Sequence, residues 1–226
     1  MTHADFSQHT PLLEALSEAA LTLCAEQAWH EISLSSLCQK SGVTLSACAQ
    51  AGITLFMVAS HLDHKLDQAM LEVATDLEAD APSRDRLFDV VMARFDAMQD
   101  NRAAWVSILT SDTQEPAAAL ARATRRLRTS AWALEAVGVS TNSLKATARV
   151  MGLARRLRQV EGLWLKDDAD LSKTMAGLDQ SLRESEQWLA RGEKLAEFFK
   201  TSLQTGVQRR ARSKAADARS PEAPPA

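Results

Sequence analysis

Between Ser33 and Thr54 the sequence is punctuated about every ten residues. Ser33, Thr44 and Thr54 are helix-capping types, and Gly42 and Gly52 are the residues best suited to ending a helix. The spacing predicts two helices of about seven residues, LSSLCQK and LSACAQA. Helices this short do not persist alone in water, so longer neighbours have to hold them. Upstream, PLLEALSEAALTLCAEQA places Pro11 at a helix start and Leu13, Leu16, Ala20, Leu23 and Cys24 on one face. Downstream, Thr54 opens a long helix that runs to about Ala79. One long helix, two short ones with Gly at their turn, and another long one make a helix-turn-helix layout.

The remaining chain repeats the helical signature. After Pro82-Ser83, Leu87, Val91, Phe95 and Met98 recur at helical spacing, and a short helix follows over 101–110. Pro116 starts a longer helix with Leu120, Ala123, Leu127, Trp132 and Leu134 expected inward, ending at Gly138. A helix over 143–166 carries a near-heptad seam of Val150, Leu153, Leu157, Val160 and Trp164. The next, over 170–191, carries Leu171, Met175, Leu178, Leu182 and Leu189. Paired seams of this kind suit a homodimer. Strand-like runs of Val, Ile, Thr and Phe are absent, so the expected class is all-α.

Several function classes find no support. There is no Gly-rich phosphate loop, no HExxH and no GxSxG, so no catalytic residue, cofactor or metal is expected. His61, Asp63 and His64 lack a further converging ligand and read as a solvated helix face. The KDDAD run (166–170) lacks EF-hand spacing and reads as a loop whose Asp170 caps the next helix. Cys24, Cys38 and Cys48 have no CxxC spacing and read as buried thiols. No secretory leader or membrane-spanning run is evident, which predicts a cytoplasmic protein, peripheral at most to the inner face of the membrane.

The layout over residues 11–70, with SGVT (41–44) at the turn, resembles the TetR/AcrR regulator family. A second resemblance lies in RDRLFDVVMARFDAMQDNRAAWVSIL (84–109) and LWLKDDADLSKTMAGLDQSL (163–182). Both segments are similar to the ubiquinone-biosynthesis accessory proteins, which are lipid-binding proteins of TetR fold. Arg155, Arg156 and Arg158 depart from those relatives, where these positions are more apolar.

The resemblance implies an all-α, TetR-like architecture: a helix-turn-helix domain over 1–56 and a ligand-binding and dimerisation domain over 57–191. An amphipathic C-terminal helix over 192–212 and a disordered tail over 213–226 would follow. It also implies a non-enzymatic role, with an isoprenoid lipid or quinone intermediate as ligand and a ubiquinone-pathway hydroxylase as partner. Phe88, Val91, Phe95, Met98, Trp105, Trp132, Met151 and Trp164 would line the ligand pocket. Trp164 and Asp167 would form the partner patch. Leu195, Phe198, Phe199, Leu203 and Val207 share one face of the C-terminal helix and would meet lipid, helped by the basic residues Arg209, Arg210, Arg212 and Lys214 just after them.

The alternative is a ligand-responsive DNA-binding regulator, which would use Lys40, Thr44, Ser46 and Gln50. Charge weighs against it. Residues 1–80 hold 11 acidic residues against Lys40 and Lys65, a net −9 within a chain of net −3. Nonspecific DNA affinity comes from Lys and Arg at phosphates. The expected helix-turn-helix is therefore a retained scaffold.

Overall fold

A computed structural model of the chain describes residues 4–78, 80–111 and 116–184. Residues 1–181 form one compact unit and the residues from Leu182 on a second, of which only 182–184 are described. The candidate lipid-contacting residues Leu195, Phe198, Phe199, Leu203 and Val207 lie outside the described residues.

The described residues of the first unit are all-helical, with no strand among them. In order they are α1 (Ala4–Cys24), a 3-10 turn (Trp29–Glu31), α2 (Leu34–Ser41), α3 (Leu45–Gln50), α4 (Leu55–Asp76) and α5 (Ser83–Gln99). Then come α6 (Arg102–Ser111), α7 (Pro116–Ala136), α8 (Leu144–Trp164) and α9, whose residues 172–181 lie in this unit. The expected start of α1 at Pro11 is corrected: the helix begins at Ala4 and carries Pro11 inside it. Proline has no N–H to donate to the Ser7 carbonyl, so at this eighth residue of the helix one intrahelical bond is missing.

The punctuation around the short helices is realised as read. Ser33 caps α2 in a reciprocal arrangement with Ser36, Thr44 accepts from the Ala47 N–H, and Thr54 accepts from the Met57 N–H. Gly42 at φ 73° and Gly52 at φ 64° take the left-handed conformation that ends each short helix. Leu37, Cys38, Cys48 and Ile53 then turn inward, and α2 packs against α1, whose Leu16 and Ala20 are also buried. All three cysteines are free and buried, with Cys38 and Cys48 Sγ atoms 3.5 Å apart across α2 and α3. Burial pushes the Cys24 thiol up to about 12 and the Cys48 thiol up to about 11.

Around this, α4 packs along α5 and against α1 and α7, α7 packs on α8, and α6 reaches back to α1 and the 3-10 turn. Ser107 of α6 makes that last join. Its hydroxyl accepts from the Trp29 N–H at 3.0 Å and donates to the Gln27 carbonyl at 3.0 Å.

The expected inward face of α7 is corrected. Leu120 is 71% exposed and Trp132 49%, with Leu127 and Ala123 also outward; of the expected set only Leu134 is buried. Arg122, Arg125, Thr129, Ala133 and Val137 face inward instead. Their spacing of three and four residues is the true helical stripe, whereas the step from Leu127 to Trp132 breaks it. On α8 the seam of Leu153, Leu157, Val160 and Trp164 is buried in the chain's own core, so it is not a free dimer face. The large apolar residues left outside on α8 are Leu144, 90% exposed, Met151, 60% exposed, and Leu163, 38% exposed.

Two glycine substitutions separate backbone strain from packing. A Cβ at Gly42 or at Gly152 of α8 would meet open space. Gly42→Ala is expected to cost ~1–2 kcal/mol through its left-handed backbone alone. Gly152→Ala, inside a helix, should add about 0.5–1 kcal/mol of stability. Urea denaturation of both variants reads the opposite signs.

Candidate functional site

The outer face of the short helix pair is built from polar and small side chains. Lys40, Thr44, Ser46 and Gln50 are all exposed there, together with Gln39, Leu45 and Ala49. Lys40 is the one cation among them. Lys65 cannot add to this face, because its ammonium is held by Glu14 Oε1 while His61 Nε2 lies 3.0 Å from Glu14 Oε2. These contacts, His61 first, hold the Glu14 carboxyl below its ordinary value.

Beneath α4 the structure corrects the reading of Asp63 as part of a solvated face. Asp63 is 2% exposed and Asp67 1%. Being four residues apart, they share one helix face, and that face points at α5 and α7. Arg94 of α5 bridges the two, with Nη2 2.6 Å from Asp63 Oδ1 and Nη1 2.6 Å from Asp67 Oδ1. Arg125 of α7 donates from Nε to Asp63 Oδ2 at 2.5 Å, and the Thr129 hydroxyl donates to Asp67 Oδ1 at 2.7 Å. Next to Arg125 in sequence, Arg126 binds Glu161 of α8 at 2.6 Å, and the buried Arg122 stands 3.8 Å from the same carboxylate. Four helices are thereby linked through interior charge.

The two aspartates respond differently to burial. Burial raises the pKa of each, but at Asp63 the charges of Arg122, Arg94 and Arg125 outweigh it and hold the carboxyl far below the usual range. At Asp67 burial wins over Arg94 and Thr129, and the neighbouring Asp63 charge pushes the same way, so its pKa is raised.

The corner between α8 and α9 corrects the expected partner patch. Trp164 is fully buried, with the Arg102 guanidinium 4.5 Å above its ring. Arg102 also donates to the carbonyls of Trp164 and Asp167, at 3.0 and 2.6 Å. Asp167 is buried too, and its carboxylate accepts from the Thr174 N–H (2.6 Å) and hydroxyl (2.7 Å). Burial opposes its ionisation, yet these bonds bring its pKa down to about 2. Asp167 works here as a remote cap for α9, next to Leu171, whose φ of 54° is left-handed. Asp170 makes the local cap expected of it, accepting from the Ser172 N–H at 3.2 Å.

The expected pocket residues do not share one environment, and none of them lines the cleft beside the 3-10 turn. Val91, Phe95, Met98 and Trp105 are packed core, Phe88 is half-buried, and Trp132 and Met151 stand exposed. Among the described residues there is a cleft of about 280 Å³ between the 3-10 turn, the end of α6 and the first half of α4 and α7. Trp29, His30, Phe56, Ala118, Ala121 and Arg125 are among its walls. None of these was read as a pocket residue from sequence. Among the described residues no group of three His, Cys, Asp or Glu side chains could hold a metal, and no helix is long and apolar enough to cross a membrane. No family model matches the chain, and no curated protein or solved structure matches it either.

Removing the Asp63 charge leaves Arg94 and Arg125 buried without it. Asp63→Asn is expected to cost ~3–5 kcal/mol at neutral pH. Because the folded pKa is depressed, this contribution is complete above the ordinary 3.8 and is lost as pH falls through the folded value. Denaturation curves should therefore show a constant gap between wild type and variant from neutrality down to mild acid, closing only below that ordinary value.

Proposed function

We propose that the chain is a non-enzymatic accessory protein of TetR-like fold that binds an isoprenoid lipid or quinone intermediate for a ubiquinone-pathway hydroxylase, with its helix-turn-helix kept as scaffold. The observation that carries the scaffold half is the cation-poor face of α2 and α3, where Lys40 stands alone and Lys65 is held by Glu14. Phosphate neutralisation needs several such charges.

The lipid half rests on the two segments similar to the ubiquinone accessory proteins. They meet in space, since Arg102 of the first binds Trp164 and Asp167 of the second. A homodimer through α8 would use the face of Leu144 and Met151, because the seam of Leu153, Leu157, Val160 and Trp164 is turned inside.

A second reading, a DNA-binding regulator, is favoured by one observation. Lys40, Thr44, Ser46 and Gln50 are exposed on one pair of capped helices.

Native mass spectrometry of the purified protein, with organic extraction of whatever it carries, separates the two. The accessory reading expects a co-purifying isoprenoid or quinone, and no duplex binding even at low salt. A lipid-free protein that binds duplex DNA in a salt-dependent way, and loses that affinity on Lys40→Ala with Gln50→Ala, would replace it with the regulator. Membrane contact has its own check: Phe198→Glu with Phe199→Glu should abolish binding to anionic liposomes, and unchanged binding contradicts the membrane role.

A further inference from the structure

The cleft beside the 3-10 turn combines features that the proposed function does not use. Its walls are apolar around Trp29, Phe56, Ala118 and Ala121, and among the described residues its lining holds no carboxylate. Among those residues its one permanently charged lining group is Arg125, which is only 7% exposed. A guanidinium has five donors in a fixed fork. Arg125 spends Nε on Asp63 Oδ2, and that is its hydrogen bond among the described residues. Its terminal nitrogens are left for whatever enters the cleft.

The charge around Arg125 is also incompletely used. Asp63 divides one negative charge between Arg125 and Arg94, which lies 2.6 Å from its other oxygen. The Nε bond to Asp63 orients the fork, and the Phe56 ring lies with its centroid 5.9 Å from the Arg125 guanidinium. A preset, mostly buried cation at one end of an apolar cleft matches an amphiphile with an anionic head.

We propose that this cleft binds a small aliphatic monocarboxylate, with the carboxylate on the terminal nitrogens of Arg125 and the hydrocarbon between Trp29, Phe56 and the alanines of α7. Carboxylate is the chemistry that a planar guanidinium pairs with best at two points. At roughly 30 Å³ per water-sized group, a cleft of about 280 Å³ holds on the order of nine heavy atoms, close to the size of octanoate with its eight carbons and two oxygens. This inference does not depend on the isoprenoid reading, which places its ligand and membrane contacts elsewhere.

Isothermal titration of the full chain with octanoate, and with octan-1-ol as the uncharged match, tests it. The expected result is one site for octanoate and at least ~10-fold weaker binding of the alcohol. Ala121→Leu fills part of the cleft and keeps both partners of the Arg125–Asp63 pair, and should weaken octanoate at least ~10-fold with the thermal unfolding midpoint retained. Arg125→Lys keeps the charge but loses the fork and should weaken octanoate while leaving octanol unchanged. No octanoate binding in the millimolar range, equal affinity for acid and alcohol, or octanoate binding indifferent to Ala121→Leu would each overturn the proposal. None of these outcomes bears on whether an isoprenoid co-purifies.

Discussion

The carboxylate of Asp63 lies between two arginines from two different helices, out of contact with water. Burying these charges costs several kcal/mol per ion before any return. The arrangement is tolerable because Arg94, Arg125 and Thr129 supply donors to the oxygens of Asp63 and Asp67. Its consequence is geometric. α4 cannot rotate or slide against α5 and α7 without breaking charged hydrogen bonds in the interior. The same bonds set the rotation of α7, send Leu120 and Trp132 outward, and hold Arg125 at the floor of the cleft.

The parts of the fold legible in the sequence were those whose causes are local. Ser33, Thr44 and Thr54 cap the helices they precede, and Gly42 and Gly52 end them, because each device acts within a few residues of itself. The faces of α4 and α7 were not legible in the same way. Hydrophobic spacing assigns charged residues to solvent, and an aspartate inside is admissible only when arginines arrive from elsewhere in the chain. A signal was nonetheless present. Asp63 and Asp67 fall among Ala59, Leu62, Leu66 and Met70 on α4, and Arg122, Arg125 and Thr129 keep strict helical spacing with Ala133. Trp164 and Asp167 were misplaced for a related reason: a tryptophan beside an acidic loop looks like surface until Arg102 covers one and Thr174 caps on the other.

The candidate sites divide along the same line. The α2–α3 face exposes the residues a DNA reader would use but gathers only one cation, a deficit visible in composition alone. The cleft at Arg125 could not be anticipated, since its walls come from the 3-10 turn, α4 and α7. The interior ion cluster thus serves both as the tie between helices and as the mount for Arg125, the charged group in the described lining of the cleft.

The claim that this cluster organises the fold is tested most directly by a double-mutant cycle on Asp63→Asn and Arg125→Gln, with stability read by urea denaturation at neutral pH. If the two charges are mutually dependent, the double variant should be less destabilised than the sum of the single ones by about 2 kcal/mol or more. Additivity within ~0.5 kcal/mol would contradict the account, because it would mean that each residue contributes through its own packing and that the contact between them holds nothing together.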